Sequence, residues 1–108
     1  MSDDGPTIEH VLLLRWTDAS TRDGLDRVVD GMESLFDGDP RVQRWEIARD
    51  LGLRPGHPTA ADVLARVWFA GPGAFRAYLD SPAHRAFVDE HVGGGACTVS
   101  SLQRRSTS

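Results

Sequence analysis

The chain has 108 residues, a length that fits one domain, with 40% apolar and 26% charged residues. Its formal net charge of −4 gives no basic field that would attract nucleic acid. The single cysteine, Cys97, excludes a disulfide within the chain and argues against a cysteine-based metal site. The N-terminal segment MSDDGPT is acidic and polar, unlike a signal peptide, and the longest apolar run, residues 11 to 14, is too short to cross a bilayer. We therefore expect a cytoplasmic protein without a membrane partner.

The first half of the chain predicts a strand followed by a helix. Residues 8 to 16 alternate as in a strand, and one face is formed by Ile8, His10, Leu12, Leu14 and Trp16. Val11 and Leu13 lie on the other face, so both faces carry apolar side chains. Residues 22 to 36 have helical spacing, and their apolar stripe consists of Leu25, Val28, Val29, Met32, Leu35 and Phe36.

The second half predicts two strands, a helical region and a last strand. The strands cover residues 41 to 49, 62 to 70 and 96 to 103, and the first two are separated by a loop rich in glycine and proline. A helix is expected over residues 71 to 79. The segment from 81 to 92 either continues this helix or restarts it.

The order of these elements, β-α-β-β-α-β, predicts an α+β fold of the ferredoxin-like type, with both helices on one face of a four-stranded antiparallel sheet. We expect one domain over residues 7 to 103, with flexible ends at 1 to 6 and 104 to 108. The sheet face without helices carries Val11, Leu13, Leu64 and Trp68. Because such an apolar patch is too large for a monomer, we expect a homodimer that packs sheet to sheet.

Residues 78 to 84, YLDSPAH, place a tyrosine and a histidine on either side of a proline. On one straight helix, Tyr78 and His84 would point about 120° apart and would not converge. Ser81 is a good N-cap and Pro82 suits the first position of a helix, so a new helix is expected to begin here. The change of helix axis can bring Tyr78 and His84 to the same pocket.

The expected position of His84 near a helix start favours a neutral imidazole, because the helix dipole and partial burial both disfavour its protonated form. A neutral imidazole can take a proton from a carbon next to a carbonyl group and return it to a new alkoxide. Tyr78 can donate its phenolic hydrogen to the carbonyl oxygen and stabilise the enolate. His10, on the first strand, faces the same helices and can orient the substrate or His84.

Four segments and their order resemble the stress-responsive A/B barrel (Dabb) family over residues 8 to 102: HVLLLRW, VQRWEIARDLG, ADVLARVWF and AYLDSPAHRAF. The last segment is the most specific, since a tyrosine precedes Pro-x-His-x-x-Phe at fixed spacing. The resemblance implies a ferredoxin-like protomer that dimerises into an α/β barrel. It implies less about activity, because many members have none assigned, whereas a plant member closes a linear polyketide by an aldol condensation.

By the resemblance to that plant cyclase, the catalytic histidine falls on His84, the tyrosine beside it on Tyr78 and a pocket histidine on His10. The expected substrate-binding residues are Leu12, Leu14, Val28, Met32 and Phe87. The sequence departs from the family at Val63, where a histidine is common, and on the first helix, where it lacks the plant enzyme's aromatic pocket residues. We therefore expect a different substrate.

The leading expectation is a homodimeric enzyme without a cofactor that acts on a small hydrophobic, polyketide-like carbonyl compound, as a cyclase or aldol-type catalyst of a bacterial biosynthetic pathway. No metal site is expected, since His84 and His91 would lie about 10.5 Å apart along an unbroken helix. One alternative is a non-catalytic, stress-responsive or small-molecule-binding dimer, in which His84 satisfies a helix end, Tyr78 packs on the sheet and His10 is a core residue. The other is a monooxygenase-like dimeric barrel.

Overall fold

A computed structural model of the chain describes residues 7–16, 22–58, 60–93, 95 and 97–106. Of the ends expected to be flexible, 1–6 and 104–108, residues 1–6 and 107–108 lie outside these ranges. In chain order the elements are β1 (Ile8–Trp16), α1 (Arg22–Asp37), β2 (Val42–Arg49), β3 (Val63–Phe69), α2 (Pro72–Leu79), α3 (Pro82–His91) and β4 (Cys97–Arg105). Since α2 and α3 together take the place of one interrupted helix, the predicted ferredoxin-like order is confirmed. Among the described residues, no helix has the length and apolar character needed to span a membrane.

The four strands form one antiparallel sheet in the order β2-β3-β1-β4. In the central strand β1, Leu14 lies opposite Val63 of β3 and Val99 of β4. Because side chains alternate along a strand, residues that lie opposite one another share a face of the sheet. His10 is on the same face as Leu14, and its partner on β4 is Gln103.

The hydrophobic core lies between this face of the sheet and the helices. Helix α1 contributes the stripe that its spacing predicted, and its buried members are Val28, Val29, Met32, Leu35 and Phe36. The sheet contributes Leu14, Val63, Ala65, Val67 and Phe69, each no more than 1% exposed. Burying one large apolar side chain is worth about 1.5–3 kcal/mol, so the contact between α1 and the sheet supplies much of the stability.

A break separates helices α2 and α3 at Ser81. The backbone of Ser81 is extended, with φ −68° and ψ 147°, as expected for a residue that precedes proline. Its hydroxyl donates to the carbonyl of Tyr78 at 2.8 Å and accepts from the backbone N–H of His84 at 3.2 Å. The chain therefore restarts a helix at Pro82, with Ser81 as its N-cap and His84 at its third position, as the sequence predicted.

Strand β4 continues through Arg104 and Arg105, two residues beyond the expected end of the domain at 103. Arg104 is held because its Nε donates to the buried carboxylate of Glu9 at 3.0 Å. The backbone N–H of Ser106 then donates to the carbonyl of Thr7 at 2.9 Å. These contacts pair the end of the described chain with its beginning, so residues 104 and 105 are part of the sheet.

The sheet face away from the helices is less uniformly apolar than the sequence suggested. Trp68 lies on this face but is only 4% exposed, because the guanidinium groups of Arg44 and Arg66 stack over its ring at 3.9 and 4.8 Å. The expectation that Trp68 belongs to an exposed apolar patch is therefore corrected. The exposed leucines here are Leu13 and Leu102, at 45% and 55% exposure.

Candidate active site

A cavity of about 130 Å³ lies between the helices and the sheet. Of the residues expected to form the site, those that line it are His10, Leu12, Leu14, Met32, Tyr78, His84 and Phe87. Val28 is the exception, since it is 1% exposed within the core and does not reach the cavity. The apolar stripe of α1 runs over several turns, and the cavity meets only its C-terminal end, beginning at Met32.

Five further lining residues were not expected from the sequence: Leu35, Phe36, Val88, Val92 and Val99. The spacing in the sequence could have indicated Val88 and Val92, because they follow His84 at intervals of four and so lie on its side of the helix. Val99 gave no such signal. It reaches the cavity because β4 pairs with β1 in the register that sets it opposite Leu14.

The break between α2 and α3 brings Tyr78 and His84 together. Their ring centroids are 4.9 Å apart, and the rings meet edge to face at 63°. Tyr78 also contacts Phe69 of β3, with centroids 5.0 Å apart, so its ring is held against the sheet. The aromatic contacts fix the position of Tyr78, and the N-cap at Ser81 fixes where the helix carrying His84 begins.

The surroundings of His84 favour the neutral imidazole. Burial lowers the pKa of His84 below its usual value, and a hydrogen bond to the backbone of Leu79 acts in the opposite direction. A neutral imidazole carries a hydrogen on one ring nitrogen and a lone pair on the other. A neutral imidazole in this state is a base with one nitrogen available to a bound molecule.

His10 is a second buried imidazole of the cavity, at 4% exposure. Its ring packs against Phe75 with centroids 4.8 Å apart. Burial lowers the pKa of His10 to about 4, and the proximity of His84 acts in the same direction. Near neutral pH both cavity histidines are therefore uncharged, and Nδ1 of His10 is hydrogen-bonded to the side chain of Gln103 at 2.9 Å.

Tyr78 keeps its phenolic proton under ordinary conditions. Its side chain is 1% exposed. Burial raises the pKa of Tyr78 well above its usual value, and the negative charge of Asp39 adds to the effect. The phenol is therefore a hydrogen-bond donor, and it does not act as a base.

The cavity thus combines an apolar wall with three polar side chains that are all neutral. His84 offers a basic nitrogen, Tyr78 a phenolic hydrogen and His10 a second imidazole. Pockets with apolar walls and a few convergent polar groups are typical of small-molecule sites. Chemically, the arrangement can move a proton at a carbon atom and stabilise charge on a neighbouring oxygen.

Solved structures with the same fold include both enzymes and proteins without a known function. A dimeric ferredoxin-like protein of unknown function from Thermobifida fusca YX has 27% sequence identity and a TM-score of 0.78, over 98% of this chain and 99% of that one. Hydroxynitrile lyase from Passiflora edulis has 17% identity and a TM-score of 0.79, over 96% of both chains. A cofactor-independent oxygenase from Streptomyces nogalater, solved as a mutant, has 13% identity and a TM-score of 0.71, again over 96% of both chains.

For the two enzymes, the likeness shows a shared fold, and it carries neither their substrates nor their reactions to this chain. No curated protein sequence matches the chain significantly. The family model of the Stress Responsive A/B Barrel Domain, by contrast, matches residues 8–98, which include all three polar residues of the cavity. The chain therefore belongs to the stress-responsive A/B barrel (Dabb) family.

Proposed function

We propose that this protein is an acid–base enzyme without a cofactor that acts on a small hydrophobic carbonyl compound, in an aldol-type or cyclising reaction. The observation that carries the proposal is the contact between Tyr78 and His84, which a helix break creates inside an apolar cavity. A neutral base and a neutral donor side by side are what proton abstraction next to a carbonyl requires. If the two rings were in contact only for packing, neither the imidazole of His84 nor the hydroxyl of Tyr78 would be needed.

In the proposed reaction, His84 takes a proton from the carbon next to the substrate carbonyl. The electron pair of that C–H bond moves into a new C=C bond, and the carbonyl oxygen becomes an enolate oxygen. Tyr78 donates a hydrogen bond to this oxygen. The enolate carbon then attacks a second carbonyl of the same molecule, and the resulting alkoxide takes back the proton from His84. No atom is gained or lost, so the product of this step is an isomer of the substrate.

The size of the cavity limits what can react in it. A cavity of about 150 Å³ lined by apolar side chains holds one benzene molecule. The cavity of about 130 Å³ in this protein therefore accepts a single ring or a short folded chain, and anything longer extends through its mouth. This favours a small polyketide-like intermediate, as expected for a bacterial biosynthetic pathway, and the cytoplasm is the compartment that we expect for it.

Two alternative functions would use the same cavity. A protein that binds a small molecule without converting it would use the apolar wall and would not need the basic nitrogen of His84. A cofactor-independent oxygenase, such as the structural neighbour from Streptomyces nogalater, would consume oxygen as the product forms. We favour acid–base chemistry because His84 and Tyr78 are both neutral and in contact.

Exchange of hydrogen for deuterium tests the proposal before the natural substrate is known. Phenylacetone has one ring and acidic hydrogens next to its carbonyl, and its exchange in heavy water can be followed by proton NMR. The wild-type protein should accelerate this exchange, and His84→Gln should reduce the acceleration by about 10²–10⁴-fold, the typical contribution of one general base. The fold should persist, because the N-cap bond of Ser81 uses the backbone N–H of residue 84.

His91→Gln is the matched control, since it changes a histidine of the same helix that does not line the cavity. It should leave the exchange rate unchanged. Equal rates for the wild type and His84→Gln would contradict the proposal. Binding of phenylacetone without any acceleration would favour the non-catalytic binding protein, and oxygen uptake during turnover would favour the oxygenase.

A further inference from the structure

Gln103 makes a side-chain hydrogen bond to a cavity residue although it does not itself line the cavity. It lies on β4 directly opposite His10 on β1, and both face the helices. Its amide nitrogen is 2.9 Å from Nδ1 of His10. No local pattern in the sequence points to Gln103, because only the register between β1 and β4 brings it to the histidine.

The direction of this hydrogen bond fixes which ring nitrogen of His10 carries the hydrogen. An amide NH₂ group can only donate, so Nδ1 of His10 must accept and cannot itself be protonated. A neutral imidazole has one N–H, which must then be at Nε2. Since Nδ1 is occupied by Gln103, Nε2 is the ring nitrogen that His10 can offer to a molecule in the cavity.

His84 is the other neutral imidazole of the cavity. As a neutral imidazole it keeps a lone pair on one ring nitrogen, and this nitrogen can accept a proton. The two histidines differ because Gln103 occupies the ring nitrogen of His10 that has the lone pair. His84 can accept a proton from a bound molecule, whereas His10 can only donate a hydrogen bond to it.

We propose that Gln103 is a positioning residue that holds His10 in its Nε2–H form, so that His10 donates a hydrogen bond to the substrate carbonyl oxygen together with Tyr78 while His84 removes the proton. The role toward the substrate rests on the proposed function, whereas the tautomer of His10 does not. Two donors on one oxygen make an oxyanion hole, which stabilises the negative charge that develops as the proton leaves. With the hydrogen on Nδ1 instead, His10 would present a lone pair to that oxygen and would repel it.

The proposed effect of Gln103 on His10 can be tested by substituting Gln103 alone. It is an exposed residue of an edge strand, so substitutions there should leave the fold intact. Gln103→Glu replaces the donor with a carboxylate, which accepts and should draw the hydrogen of His10 to Nδ1. Gln103→Met keeps the length of the side chain and removes the hydrogen bond. Gln43→Met makes the same change at an exposed position of β2 and serves as the control.

The tautomer of His10 is read directly from long-range proton–nitrogen NMR spectra near neutral pH, without any substrate. The wild type and Gln43→Met should show the Nε2–H form. Gln103→Glu should show the Nδ1–H form, and Gln103→Met a mixture of the two. A wild-type Nδ1–H form would overturn the proposal, and so would an Nε2–H form that persists in Gln103→Glu.

The exchange of phenylacetone in heavy water then tests the role toward the substrate. Gln103→Glu should slow the catalysed exchange by up to about 10²–10³-fold, since loss of one oxyanion donor typically costs that much. A switched tautomer with an unchanged catalysed rate would overturn the catalytic role assigned to His10. If the wild type catalyses no exchange but the tautomer switches as expected, the proposed function fails while the assignment of Gln103 stands.

Discussion

Tyr78 combines two roles that substitution can separate. Its ring lies among Phe69, Phe75 and His84, and its hydroxyl is the only part that can donate a hydrogen bond. The ring contacts contribute to packing and stability, whereas the hydroxyl is the group that would donate a hydrogen bond to a substrate. The same distinction separates the catalytic interpretation of this side chain from the structural one.

Tyr78→Phe should therefore lower activity much more than stability. The ring and its aromatic contacts remain, so the free energy of unfolding in urea should change by less than about 1 kcal/mol. The catalysed exchange of phenylacetone should fall by about 10²–10³-fold, as for loss of one oxyanion donor. Tyr78→Ala is the comparison, because removing a buried ring costs about 3–5 kcal/mol. An active Tyr78→Phe variant would leave Tyr78 with a packing role only.

His10 links the site to the pH dependence of folding. Its pKa is about 4 in the folded protein and about 6.5 in the unfolded chain, so the unfolded state binds more protons between these values. Stability must then rise with pH through this window and be lost as the pH falls. The pKa difference corresponds to roughly 3 kcal/mol at full effect. The lowered pKa of His84 acts in the same direction, and that of Glu9 acts at lower pH.

His10→Leu isolates this contribution. We expect the free energy of unfolding of the wild type to fall more steeply than that of His10→Leu between about pH 7 and about pH 4, by roughly 3 kcal/mol. Urea denaturation at several pH values measures both slopes, and the contributions of His84 and Glu9 cancel in the difference. Equal slopes would mean that His10 protonates as easily in the folded protein as in the unfolded chain.

At the scale of elements, the break between α2 and α3 determines the site. It has two independent supports: Pro82 restricts the backbone of Ser81, and the Ser81 hydroxyl bonds to both helix ends. We expect either support alone to keep the helices separate. Pro82 is therefore not the only cause of the break that the described residues show, because Ser81 contributes two hydrogen bonds to it.

Removing both supports should reduce activity without removing any catalytic atom. Ser81→Ala should cost about 1 kcal/mol as a lost N-cap, and Pro82→Ala about 0.4–1 kcal/mol through the greater freedom of the unfolded chain. The double variant should lower the catalysed exchange by more than the two single variants predict together, because only then can one helix run straight through. Pro58→Ala in the loop between β2 and β3 is the control. A double variant with wild-type activity would show that the break does not position the site.

The elements and the Tyr78–His84 pair could be predicted from the sequence because their signals are local. Alternation, helical spacing and the Ser81–Pro82 pair each depend on residues close together in the chain. Gln103 and Val99 could not be predicted, since their approach to the cavity depends on the register of β4 against β1. The stripe of α1 predicts the buried face of the helix but not the point where the core gives way to the cavity. Val28, which the resemblance to the plant cyclase placed in the cavity, lies in the core.

At the scale of the whole molecule, the sheet face away from the helices has two different parts. One part is charged, with Glu9 at 2% exposure between Arg66 and Arg104, whose Nε atoms lie 2.7 and 3.0 Å from its carboxylate. The hydrogen bond from Arg66 lowers the pKa of Glu9 despite its burial. These groups satisfy one another within the protomer, so this part of the face needs no partner.

The other part of the face is mainly apolar. Leu13 lies opposite Leu64 on β3, and Val11 lies opposite Leu102 on β4. Leu13 and Leu102 remain largely exposed in the protomer. Adjacent exposed apolar side chains of this kind usually mark an interface. Structural neighbours of this chain, including the one from Thermobifida fusca YX, are described as dimeric.

We therefore expect a homodimer in which this apolar part of the sheet is buried against a second copy. Light scattering at micromolar concentration should give twice the chain mass of 11.8 kDa. Leu13→Asp should shift the mass toward that of the single chain, because it would bury a carboxylate without a partner. Leu53→Asp is the control, since Leu53 is 79% exposed in the loop between β2 and β3 and lies outside this face. A wild-type protein that scatters as a single chain would overturn the prediction, and the closed barrel that two such sheets would form would be excluded with it.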